Sequence, residues 1–324
     1  MAFPTAITDI IATTIESRSR KIRDNVTKNN AALAYLKERG NVRPVSGGSE
    51  ILEEISFAEN GNVGWYSGYD LLPVAAQDVI GAARFDFRQA AVPVVISGLE
   101  QLKNSGKEAL IDLMEARLRV AEASMMNLIA QGVYSDGTGA SGKQLVGFDA
   151  MIPVTPTTGT YGGIDRSTSI GTFWRSKSTT AGSALTASTV QAAMNAMWGS
   201  LVRGADRADL IIMDTNFWNL YLSSLQAQQR FVDTTKANLG FPSIKFMDAD
   251  VVLDGGIGGY ATTKTAYFIN TKYVHWRPHR DRDMVPLSPN RRYAINQDAE
   301  VAILAWAGNM TCSGAQYLGR LITP

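Results

Sequence analysis

Between residues 106 and 131, apolar side chains recur at steps of three and four. Leu110, Met114, Leu118, Ala121, Met125 and Leu128 all read onto one helical face. Glu108, Asp112, Glu115, Arg119 and Glu122 are expected on the other side, with Glu115 and Arg119 at the favourable i,i+4 spacing. Asn104 or Ser105 can cap the start, and Gly132 with the Ser-Asp-Gly-Thr-Gly run marks the end. At ~1.5 Å per residue this helix is roughly 40 Å long, enough to span a domain and act as a spine for the rest.

Upstream, residues 5–16 predict a short amphipathic helix and Asn30–Arg39 a second one closed by Gly40. A linker over Arg43–Gly48 follows, so this N-terminal part reads as an arm. Residues 49–59 become strand-like and lead into GNVGWYSGYDLLP, where Gly61, Gly64 and Gly68 interleave with Trp65, Tyr66 and Tyr69. A returning strand covers ARFDFRQAAVPVVIS, in which Pro93 favours an edge position. An isolated hairpin is marginal in water. This one therefore needs a surface, either its own core or a neighbouring subunit.

Downstream of the spine, residues 147–152 read as a short strand, and residues 153–184 as a Gly-, Ser- and Thr-rich connection. A helix over Leu185–Val202, a buried strand over Asp209–Asp214, a helix from Thr215 and two short strands make 185–265 an α/β unit. From Thr265 onward the pattern is strands with both faces apolar, so a covered sheet is expected there, joined to the spine.

Charge changes this picture more by its placement than by its total of +1. Residues 1–43 carry eight Lys/Arg against four acids, and residues 271–292 carry six against two. Residues 44–83 hold six acids and no Lys, Arg or His, which permits an acidic loop to lie on a basic partner surface. The one cysteine, Cys312, rules out an internal disulfide and fits a reducing compartment. No apolar run is long enough for a membrane span, and the N-terminal residues do not form a secretory signal.

Candidate chemistry is thin. Gly137–Gln144 is one residue from a P-loop, but Gln144 stands where a Ser or Thr should hold magnesium, and a helix rather than a strand precedes it. Gly256–Ala261 fits a dinucleotide-binding spacing with no helix after it. His275 and His279 are the only histidines; Pro278 between them and the nearby arginines oppose a metal site. Cys312 lies in a strand pattern and reads as a buried thiol. No catalytic, cofactor or metal residues are expected, and no enzyme.

The order of parts resembles the major capsid proteins of tailed bacteriophages, the Hong Kong 97 fold. The stretches that carry it are the acidic hairpin into GWYSGYDLLP, SGLEQLKNSGKEALIDLMEARLRVAEASM, YSDGTG, YGGIDRS, ADLIIMDTNFWNLYLSSLQ and YFINTKYVHWRPHRDRDMVP. The resemblance implies an α+β chain: an N-terminal arm (1–48), an extended β-hairpin loop (49–95), a peripheral domain with the spine helix (96–155) and the late strands (266–324), and an axial α/β domain (156–265). It implies self-assembly into hexamers and pentamers of an icosahedral head enclosing double-stranded DNA, in a virion built in the bacterial cytoplasm, with portal, scaffolding and decoration proteins as partners. Contacts between subunits are then expected from Glu53, Glu54, Glu59, Trp65, Tyr66, Tyr69 and Asp70 on the loop, and from Lys103, Lys107, Arg277, Arg280 and Arg282. Arg18, Arg20, Lys21 and Arg23 are expected to face the DNA. Residues 44–102 contain no lysine, against the covalent crosslink that some members form from this loop. An encapsulin-type compartment shares the fold, and a P-loop-like NTPase resting on Lys143 is the remote alternative.

Overall fold

The long helix forms over Lys107–Val133 in a computed structural model that describes residues 30–99, 107–225, 243–255, 259–287, 292–293 and 298–324. Along the chain run α1 (Ala31–Glu38), β1 (Ile51–Ser56), β2 (Ile80–Phe85), β3 (Arg88–Ser97) and the spine, α2 (Lys107–Val133). Next come β4 (Thr160–Tyr161), β5 (Ile164–Asp165), β6 (Lys177–Thr180), α3 (Val190–Leu201), β7 (Leu210–Met213) and α4 (Thr215–Leu225). The remainder is β8 (Ser243–Phe246), β9 (Ala249–Leu253), β10 (Thr265–Ile269), β11 (Val274–Pro286), β12 (Arg292–Tyr293), β13 (Ala299–Cys312) and β14 (Gly319–Ile322).

The buried face of α2 is rotated from the one its spacing suggests. Leu118, Ala121 and Met125 are inside as expected, but the row continues through Ile129 and Val133, and Leu128 is 49% exposed against 2% for Ile129. At ~100° per residue, position 129 returns to within ~20° of Leu118, whereas 128 falls ~80° away. Glu122, expected outside, is buried for the same reason, one turn past Leu118. Gly132 does not end the helix. It sits in the last turn, where an added Cβ would come 3.0 Å from Leu145 Cβ. Ile129→Ala should cost about 2–4 kcal/mol in urea unfolding, and Leu128→Ala no more than about 0.5 kcal/mol.

α2 packs against β3, where the Arg117 guanidinium donates to the Val95 carbonyl. β3 pairs antiparallel with β13 from Ser97↔Ala299 to Arg88↔Gly308, with Pro93 opposite Ile303, and β13 pairs on with β11 and β12. The returning strand is thus two strands, broken at Asp86–Phe87. Buried Asn309 holds the break by donating to the Asp86 carbonyl at 2.8 Å.

A second sheet has the order β6-β14-β10-β7-β9-β8, and α3 and α4 bury Met194, Met197, Phe217 and Tyr221 against it in a separate core. The expected α/β unit is present but wider. β10 and β14, read from sequence as part of the late-strand sheet, pair here instead: β10 sits between β14 and β7. β6 lies in the stretch read as a connection and pairs parallel with β14. Residues 148–151 are a helical turn rather than a strand.

The N-terminal part is docked from Asn30 onward. Asn30 caps α1 by accepting from Leu33 N at 3.1 Å, and Ala31 through Leu36 are all buried in the main core. A helix apolar all round belongs inside. The expected linker runs beside β11, with Arg43 N donating to Trp276 O and Val45 N to Pro278 O, both at 2.9 Å. The helix read over 5–16 lies outside the described residues.

Candidate inter-subunit surface

The hairpin base rests on its own subunit. β1 and β2 pair from Ile51↔Phe85 to Ser56↔Ile80, and alternation turns Ile51, Glu53, Ile55, Ala83 and Phe85 inward. Phe85 meets Tyr161 edge-on at 5.2 Å. Gly162, at φ +60°, lets the backbone come close: an added Cβ would lie 3.0 Å from the Phe85 ring. Arg84 N donates to its carbonyl at 2.9 Å.

Glu53, expected at a subunit contact, is instead buried and paired inside the chain. Its Oε1 accepts from Arg277 Nε at 2.7 Å and Nη2 at 2.5 Å, and from Thr311 Oγ1 at 2.6 Å. Arg277 is therefore occupied within the subunit as well. A carboxylate on an otherwise apolar strand face is stable only if its charge is matched, and the fork of Arg277 matches it.

His275, opposite Thr311 in the sheet, is buried beside this cluster. Burial pushes its imidazole down to about 4, against the opposing pull of Glu53 and helped by Arg43 and Arg277. Unfolded, the ring titrates near ~6.5. Between those values the unfolded chain binds more protons, so stability falls as pH drops from about 6.5 toward about 4. His275→Phe should flatten that part of a melting-temperature-against-pH curve.

Beyond the base, cover is missing. The last ladder-like bond is Phe57 N to Val79 O at 3.1 Å; Asn62 then clips the loop by donating to Ala75 O at 2.6 Å. Ser67 N donates to Asp70 Oδ2 and Asp70 N to Ser67 O, both at 2.8 Å, so Asp70 closes the tip turn. The loop satisfies its own turns and turns its apolar side chains out. Trp65 is 106% exposed, Tyr69 105% and Leu71 98%, with Val63, Tyr66, Leu72 and Val74 also exposed. Sequence reasoning picked out the aromatics and passed over the four aliphatics beside them. A run of seven large apolar side chains in solvent is far from ordinary surface texture.

Around this ribbon, Glu54 points outward and Glu59 lies 3.8 Å from Arg203, both largely exposed, a pair of little energetic weight. Arg280 and Arg282 are exposed on β11, with Arg282 Nη1 3.4 Å from Gln89 Oε1. The four arm cations at 18, 20, 21 and 23 and Lys103 lie outside the described residues; Lys107 opens α2 with its side chain likewise undescribed.

Of the remaining motifs, Gly256–Ala261 begins outside the described residues, and the other three resolve into structure. Gly139–Gly142 is a turn with Ala140 and Ser141 left-handed, following a helix. His279 packs edge-on to Phe87 at 5.8 Å. Cys312 is buried, its thiol pushed up to about 12 by burial. Among the described residues, no His, Cys, Asp and Glu cluster could hold a metal ion and no helix is long and apolar enough to cross a membrane.

The fold of this chain is similar to that of solved structures. The cyanophage A-1(L) capsid asymmetric unit is similar at a TM-score of 0.62 and 15% identity, over 89% of this chain and 92% of that one. The capsid of an empty GTA particle is similar at 0.59 and 14%, over 88% of each. The native GTA capsid is similar at 0.60 and 13%, over 89% and 90%. The fold is that of the tailed-phage capsid proteins. No protein-family model and no curated protein matches the sequence.

Proposed function

We propose that the chain is the structural subunit of an icosahedral phage head, assembling into hexamers and pentamers around double-stranded DNA. The observation that carries this reading is the run of uncovered apolar side chains over 63–74, standing on a capsid fold whose hairpin base is already anchored. A second copy of the chain supplies the missing cover. The acidic loop then approaches Arg280 and Arg282, the cations of β11 that remain exposed once Arg277 is paired with Glu53.

In this reading α2 with β3, β11 and β13 forms the peripheral part of the subunit. The six-stranded sheet with α3 and α4 forms the axial part, widened by β10 and β14 relative to the sequence boundaries. The arm's Arg18, Arg20, Lys21 and Arg23 face the packaged DNA, which they contact without sequence preference. Portal, scaffolding and decoration proteins complete the particle.

Electron microscopy of the purified full chain tests the proposal: closed shells are expected, and a species that stays monomeric at high concentration would overturn it. Charge reversal of Arg280 and Arg282 to Glu should lower shell yield, most at low ionic strength where exposed charges act over about 10 Å or more. Yield unchanged across salt would remove these two residues from the interface.

A further inference from the structure

A helix with one face on a core normally turns charges to solvent. The outer face of α2 does not. From Val120 to Gln131 its exposed positions are Val120, Ala123, Ser124, Asn127, Leu128 and Gln131, none of them charged. Beside it, β3 is an edge strand that pairs with β13 alone among the described residues and leaves Ala91, Pro93 and Val95 exposed. Between helix and strand runs an open groove of about 430 Å³, lined mainly by Val92, Pro93, Val94, Val95, Val120 and Ala121. Val120 is 67% exposed and Val95 43%. The one charged residue of the lining, Arg117, donates to the Val95 carbonyl.

Followed back along β3, this groove leads to a positive end. Gln89, six residues before Val95, lies 3.4 Å from the Arg282 guanidinium, and Arg280 is exposed on the same irregular stretch of β11. One surface thus runs from two cations to an uncharged apolar groove. The ribbon has the same order. Glu59 and Asp78 flank its stem next to the Phe57–Val79 bond, and beyond them residues 61–77 hold one charge, Asp70, which closes its own turn. Six residues separate Asp78 from Leu72, as they separate Gln89 from Val95. At ~3.3 Å per residue of extended chain, both spans reach about 20 Å. Within one chain neither surface covers the other, since Trp65, Tyr69 and Leu71 stand wholly in solvent.

We propose that the ribbon of one copy lies along β3 of a second, with Glu59 and Asp78 at Arg280 and Arg282 and the apolar tip in the groove between β3 and α2. The inference rests on the reading of the ribbon as a contact between copies. Charge fixes which way the ribbon runs, because reversing it would set the carboxylates on an apolar groove and leave the cations unmatched. Donor and receiver are different patches of one chain. The contact is therefore head-to-tail, and a row of such contacts grows until it closes on itself as a ring.

Mixing two full-length variants tests this by sedimentation velocity. The groove variant carries Val95→Glu and Val120→Glu; the ribbon variant carries Trp65→Ser, Tyr69→Ser and Leu71→Ser. Each alone is expected to run as a monomer, its association weakened about a hundredfold or more by the lost apolar contacts. Mixed, they should give a one-to-one dimer and nothing larger. The intact ribbon of the first fits the intact groove of the second, while the other ribbon and the other groove are both spoiled. If the groove variant melts early, Val120→Glu alone, at the more exposed of the two positions, takes its place. Particles at wild-type yield from the groove variant overturn the inference. So does a mixture that stays monomeric, the result expected if two grooves meet each other or if another segment of the chain fills the groove. In both cases particles from the wild type leave the capsid reading standing, whereas a monomeric wild type removes that reading and this inference together.

Discussion

Serine at Trp65, Tyr69 and Leu71 together is expected to abolish particle formation while leaving the folded subunit intact. These side chains are almost wholly in solvent, so their removal takes nothing from the monomer core, and the unfolding midpoint should move by no more than about 0.5 kcal/mol equivalent. In an assembly the balance reverses. Burying one such side chain contributes about 1.5–3 kcal/mol, so losing three weakens each subunit contact by about 5–9 kcal/mol. Since ~1.4 kcal/mol is tenfold, association falls by more than about a thousandfold. Sedimentation velocity reads this directly: wild type moves as large particles and the triple variant as a slow monomer. Shells at wild-type yield from the triple variant would show that the ribbon tip is not a contact.

That prediction also marks where the sequence was legible. The glycine-spaced aromatics of 61–69 stood out because so many large side chains in a turn-rich stretch have no periodicity and hence no internal face to join. The long helix was legible through its period, and the register of its buried side was less so. Taking Leu128 in place of Ile129 follows from counting steps of three after Met125, when the face had already drifted by four. Burial of α1 was missed because Ala31–Leu36 is short, and nothing in sequence shows that a cavity elsewhere is waiting for it.

Sheet membership was the least legible feature. Thr265–Ile269 is buried at every position, and a continuous apolar run fits a central strand of either sheet equally well. Its partners β7 and β14 are both more than forty residues away, so the pairing is fixed by tertiary contacts with no local trace. The Glu53–Arg277 pair was hidden for the same reason. Both residues were singled out, but as members of an acidic and a basic stretch, and net charge per stretch cannot tell which member turns inward. Alternation could have: Glu53 lies between Ile51 and Ile55 at a spacing of two, on the face of β1 that must be covered.

Glu53→Ala carries the larger effect on the subunit itself. It strands the Arg277 guanidinium in a site where its side chain is only 17% exposed, and it removes the acceptor of the Thr311 hydroxyl. Breaking such a buried pair from one side costs about 3–5 kcal/mol, because the surviving charge has no water to return to. Urea unfolding should show that loss, and added salt should not mask it, since a buried pair is weakly screened. The triple replacement Glu53→Leu, Arg277→Met and Thr311→Val removes charge, counter-charge and donor together and should recover most of the stability. Failure to recover would mean that packing, not the unpaired charge, was lost. Assembly separates the two roles of the pair. The anchor sets how the base of the ribbon sits on β11 and β13, and apolar side chains fill that space without fixing one angle. The triple replacement should therefore fold stably yet assemble poorly, because a displaced base throws the tip, more than ten residues further along the loop, away from the surface it has to reach. Stable protein with normal shells would show that the ion pair has no part in aiming the loop.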